Sequence, residues 1–70
     1  MKKEMKKLLN TYIERYNGLR ADLYLDEMLG VDVKYDKGKI YELSDVIYDI
    51  ASLLDIDLNM DIKGYIKIAE

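Results

Sequence analysis

Apolar residues recur at steps of three and four at the start of the chain. Met5, Leu8, Leu9, Tyr12, Ile13 and Tyr16 share one face of an amphipathic helix beginning near Lys2. Asn17-Gly18 predicts a stop or kink, because glycine weakens a helix interior and both residues tolerate left-handed backbone. Leu19, Leu23, Met28 and Leu29 then continue helical spacing as far as Gly30, which suits a C-terminal cap. The run Leu23-Tyr24-Leu25 also fits a short strand. Val31-Asp32-Val33-Lys34-Tyr35 alternates apolar and polar as a half-buried strand does, and Asp36-Lys37-Gly38 reads as a turn. A three-residue loop there places Val31, Val33, Tyr35, Tyr41 and Leu43 on one face of a β-hairpin.

Ser44 is a good N-cap for a second helix, with Asp45 suited to the positive end of its dipole. Val46, Ile47, Ile50, Leu53 and Leu54 form its inward stripe, leaving Asp45, Tyr48, Asp49 and Ser52 outward. From Ile56 the period is two, with Ile56, Leu58, Met60, Ile62, Ile66 and Ile68 at even positions. Gly64 divides that run. The firmest strand is Tyr65 to Ala69, while Leu58 to Ile62 reads as strand or loop. The expected fold class is α+β, a single domain over residues 1–70 in the order helix, β-hairpin, helix, strand. Its three short strands carry helices packed on one face.

Composition narrows the chemistry. The chain of 70 residues is half hydrophobic and 36% charged, which is globular and near the lower size limit for a self-sufficient core. It has no Cys and no His, so thiolate or imidazole metal sites and the usual neutral-pH general base are absent. No cofactor, metal or catalytic role is expected. Asp55-Ile56-Asp57-Leu58-Asn59-Met60-Asp61 begins like a calcium loop, but the sixth position is Met60 instead of glycine and the twelfth is Ile66 instead of a bidentate glutamate. No apolar run reaches the ~18 residues of a membrane span. Asn10, Thr11 and Glu14 interrupt anything resembling a signal peptide. A soluble, cytoplasmic protein is the expectation.

The charge layout carries the functional reading. Residues 1–20 hold six basic and two acidic side chains, 6 − 2 = +4, and residues 21–70 hold five and twelve, 5 − 12 = −7, which sums to the chain's −3. Between Tyr41 and Asp61 stand Glu42, Asp45, Asp49, Asp55, Asp57 and Asp61, with no Lys or Arg among them. On a helix Asp45 and Asp49 lie about 6 Å apart along the axis. On a strand Asp55 and Asp57 are separated by about 6.7 Å. These spacings resemble those of successive phosphates on a nucleic-acid strand. Such an array offers a basic DNA-binding surface the charges it is built to meet, and Tyr48 between Asp45 and Asp49 is a candidate interface anchor.

In size, acidity and charge layout the chain resembles the small DNA-mimic inhibitors that bacteriophages encode against host proteins. One member of that group binds the histone-like nucleoid protein HU and occludes its DNA-binding arms. The resemblance implies a host-takeover setting and a basic DNA-binding partner, HU first; the charge layout, not the resemblance, assigns the contact to Glu42, Asp45, Tyr48, Asp49, Asp55, Asp57 and Asp61. The charges and the absence of an aromatic membrane anchor lead to the expectation of no membrane and no direct nucleic-acid contact. The alternative is a small homodimerising or scaffold-binding module, supported by the apolar excess at Leu23, Tyr24, Leu25, Met28 and Leu29. The Lys2, Lys3, Lys6 and Lys7 cluster leaves direct nucleic-acid binding as a third option.

Overall fold

A computed structural model describes residues 1–69. Helix α1 spans Lys2–Met28 and helix α2 spans Lys34–Leu53; strand β1, Leu58–Met60, and strand β2, Ile66–Ile68, form one antiparallel pair. The class is α+β, with two strands instead of three and the order helix, helix, β-hairpin. The two helices run antiparallel, and the β-hairpin lies against α1. One core holds Leu9, Ile13, Tyr16 and Leu23 of α1, Ile40, Ile47 and Ala51 of α2, and Ile66 of β2.

Asn17-Gly18 does not break α1. The buried stripe Leu9, Ile13, Tyr16, Leu23 continues on both sides of it, and burial of such side chains, worth ~1.5–3 kcal/mol each, outweighs the ~1 kcal/mol that glycine costs inside a helix. Gly30 is the cap that its sequence position suggests. Its φ is +76°, the Val31 N–H donates to the Asp26 carbonyl at 3.0 Å, and the Gly30 N–H donates to that of Glu27 at 3.2 Å. This is the Schellman pattern.

The expected β-hairpin over residues 31–43 is instead a connector followed by the first half of α2. Alternation held for only three apolar residues, whereas Ile40, Leu43, Ile47, Ile50, Ala51 and Leu54 keep helical spacing and bury against α1. Asp36-Lys37-Gly38 is therefore helical. Asp32 opens the helix, its carboxylate accepting the Lys34 N–H at 3.1 Å. Ser44 lies inside α2 and caps nothing. Tyr35 and Tyr41, expected inward, are 73% and 64% exposed, and Leu53 is 78% exposed, because the helix turns them away from α1.

Helix α2 ends in a second Schellman turn. The Ile56 N–H donates to the Ala51 carbonyl at 2.9 Å and the Asp55 N–H to that of Ser52 at 3.2 Å. Here Asp55, at φ +58°, occupies the left-handed position that Gly30 fills in the first. β1 and β2 then confirm the period-two reading on both sides of Gly64, with Leu58 paired to Ile68 and Met60 to Ile66. Ile62, at the tip of the turn, is fully exposed.

The β-hairpin is fastened to α1 by side chains. The Tyr16 hydroxyl donates to the Gly64 carbonyl at 2.7 Å and accepts from Arg20 Nε at 3.1 Å. Asn17 meets the outer edge of β2 as a neighbouring strand would: its Nδ2 donates to the Ile66 carbonyl and its Oδ1 accepts the Ile66 N–H, both at 2.9 Å. Tyr24 donates to the Lys63 carbonyl and packs edge-on against Tyr65. The residue that looked like a helix stop is thus a clip for the sheet.

Candidate acidic interface

Helical spacing gathers the acids of α2. Glu42, Asp45, Asp49 and Ser52 follow one another by three, four and three residues, a stripe opposite the buried Ile40, Ile47 and Ala51. Glu42 and Asp49 are therefore about 10 Å apart along the axis. All three carboxylates are exposed, and so are Asp55 and Asp57 beyond the helix end. Tyr48, 42% exposed, lines a shallow hollow with Ser52, Asp55 and Asp57 at the end of the helix. Tyr41 lies two turns before Tyr48 on the same flank.

Asp61 stands apart. Its Oδ1 accepts the backbone N–H groups of Lys63 at 2.9 Å and Tyr65 at 3.0 Å, and its carbonyl accepts the Gly64 N–H, so it builds the turn between the strands. The hollow it borders also holds Asn17, Tyr65 and Lys67, away from Tyr48. Of the seven residues singled out in the sequence, Glu42, Asp45 and Asp49 share one exposed face of α2, Tyr48 shares a hollow with Asp55 and Asp57, and Asp61 borders another.

Among the described residues the one ion pair is Lys37 Nζ to Glu27 Oε1 at 3.8 Å, so no ammonium or guanidinium neutralises any of these carboxylates within 4.0 Å. Lys34, Lys37 and Lys39 fall in the first half of α2, and Lys39 is drawn over the Tyr35 ring at 4.7 Å. Lys6 and Lys67 border a separate hollow with Ile13 and Ile68. The chain after Leu54 runs through a turn, a strand and a second turn, which leaves Asp55 and Asp57 beside one hollow and Asp61 beside another. Among the described residues no group of three or more carboxylates could share a metal ion.

A second acidic concentration escaped the sequence reading. Asp26 carries a pKa above its ordinary value, through partial desolvation first, then the charge of Asp36, a hydrogen bond to Asp36 and the charge of Asp22. Asp22 and Asp26, four residues apart on one helix, were a visible signal. Asp36 was hidden because its segment read as a β-turn.

No family model, curated protein or solved structure matches the chain. Among the described residues no helix is long and apolar enough to cross a membrane.

Proposed function

We propose that the α2 ridge is a decoy for DNA: Glu42, Asp45, Asp49, Asp55 and Asp57, with Tyr48 as an apolar anchor, occupy the DNA-binding surface of a basic protein and exclude its DNA. The histone-like protein HU is the first candidate. The observation that carries this reading is the exposure of five carboxylates along α2 and just beyond its end with no cation in ion-pair reach among the described residues.

Folding alone does not favour such an arrangement. Asp45 and Asp49 are like charges at i,i+4, which costs a helix ~0.2–0.5 kcal/mol. Asp49 and Asp55 stand near the negative end of the α2 dipole, where cations belong, and the last turn of α2 holds no basic residue. Asp55 also occupies left-handed backbone that glycine adopts more readily. Carboxylates kept in positions that weaken the fold are better explained by what they bind. A basic partner would be steered in from a distance and held with an affinity that falls as salt rises.

Titrating the protein into a preformed HU–DNA complex and following the shifted band tests the reading. Release of free DNA at low salt is expected, with release lost when Asp45, Asp49, Asp55 and Asp57 are replaced by Asn. Undiminished DNA binding at excess protein removes HU, and full activity of the neutralised variant removes mimicry.

A further inference from the structure

The β-hairpin covers only one side of the helix pair. Tyr16, Asn17, Arg20 and Tyr24 face it, whereas Arg15, Gly18, Leu19 and Asp22 lie on another side of α1 at 100° per residue. On that bare side a groove of about 600 Å³ runs between the helices. Its floor is Leu19, Leu43 and Val46, and its rim is Arg15 and Asp22 from α1 with Lys39 and Glu42 from α2.

We propose that this groove is the interface of a homodimer, a second copy laying its own α1–α2 face across it under a two-fold axis. The first support is the charge of the rim. Two cations and two carboxylates sum to zero on a chain of −3, and an isologous contact requires a surface that complements itself. Arg15 and Asp22 are seven residues apart and equidistant from the Gly18–Leu19 midpoint. A dyad crossing α1 there sets Arg15 of each copy on Asp22 of the other.

The second support is Gly18 itself. It weakens the helix interior, and among the described residues nothing lies within 4 Å of the place where its Cβ would be, so the monomer has no use for the missing side chain. At the crossing point of two α1 helices the use is plain, because glycine lets the backbones approach.

Glu42 belongs both to the acidic stripe and to the groove rim, whereas Asp45, Asp49, Asp55 and Asp57 do not line the groove and would stay exposed in both copies; self-association and competition with DNA are read by separate measurements.

Sedimentation equilibrium across a concentration series, with circular dichroism to check the helices, tests it. The wild type is expected at twice the 8.2 kDa chain mass. Arg15→Glu places acid on acid across the dyad and Asp22→Arg places base on base. Each alone should weaken self-association at least about tenfold, counting two exposed charge pairs per dimer. Mixing the two variants should restore a mixed dimer. A wild type that stays monomeric at several hundred micromolar, a dimer indifferent to both swaps, or variants that fail to recombine would overturn the proposal.

Discussion

Replacing Asp55 by glycine should make the protein more stable and a weaker ligand for the proposed basic partner. Asp55 holds φ +58° at the end of α2, the conformation that Gly30 takes at the end of α1. Relief of left-handed strain contributes about 1 kcal/mol. Removing a carboxylate from the negative end of the helix dipole adds ~0.3–1 kcal/mol. Against these stands the larger entropy that glycine gives the unfolded chain, ~0.5–1 kcal/mol. The net gain is about 0.3–1.5 kcal/mol, or roughly 1–12 °C in melting temperature for a domain of this size. Asp55→Asn separates the parts: asparagine tolerates the same backbone, so only the charge contribution remains and the melting temperature should rise by less. Thermal melts of the three proteins, paired with salt-dependent binding to HU, give both readouts. An Asp55→Gly protein less stable than wild type would refute the strain argument. Unchanged binding by both variants would take Asp55 off the ridge.

Other consequences follow from the contacts that fasten the β-hairpin. Tyr16→Phe leaves the Gly64 carbonyl and Arg20 Nε without their shared partner and should cost ~1–3 kcal/mol in urea unfolding. Asn17→Ala removes both bonds to Ile66 and should cost a similar ~1–3 kcal/mol; hydrogen exchange should quicken in residues 58–68 while α1 stays protected. Gly64→Ala forces a side chain into φ +90° and to within 2.9 Å of the Arg20 guanidinium, so it should destabilise by at least about 1 kcal/mol. The Asp26–Asp36 pair sets a pH dependence. Because the folded state raises the Asp26 pKa, its contribution is most favourable below the ordinary value of 3.8 and is lost as pH rises through the raised value. Asp36→Asn should therefore raise the melting temperature at pH 7 relative to wild type and leave it closer to wild type near pH 3.5. The same difference at both values would contradict the coupling.

What the sequence disclosed and what it hid divide along a physical line. The stripe Leu9, Ile13, Tyr16 of α1, the outward Asp45, Tyr48 and Asp49, the cap at Gly30 and the strand around Ile66–Ile68 were all legible, because each rests on local periodicity or on one residue's backbone preference. The stretch 31–43 was misread because three alternating residues outweighed a helical pattern that declares itself only when Ile40 and Leu43 are joined to Ile47 and Leu54. Gly38 and Asn17-Gly18 suggested breaks for the same reason: local preference yields to burial, and the partners that bury those faces are far away in the chain. Charge alone groups Asp61 with the other acids, whereas its hydrogen bonds to the Lys63 and Tyr65 N–H groups give it another task. The side chain of Asn17, pairing with a strand almost fifty residues away, left no trace in the local pattern.

The central assertion is that the ridge binds by charge and competes with phosphate. Calorimetric titration of HU with the wild type, and with the variant carrying Asn at Asp45, Asp49, Asp55 and Asp57, at low and at high salt, tests it most directly. The account predicts tight binding by the wild type at low salt, steep weakening as salt rises, and no measurable heat from the neutralised variant. Equal binding by both proteins, or an affinity indifferent to salt, would contradict it.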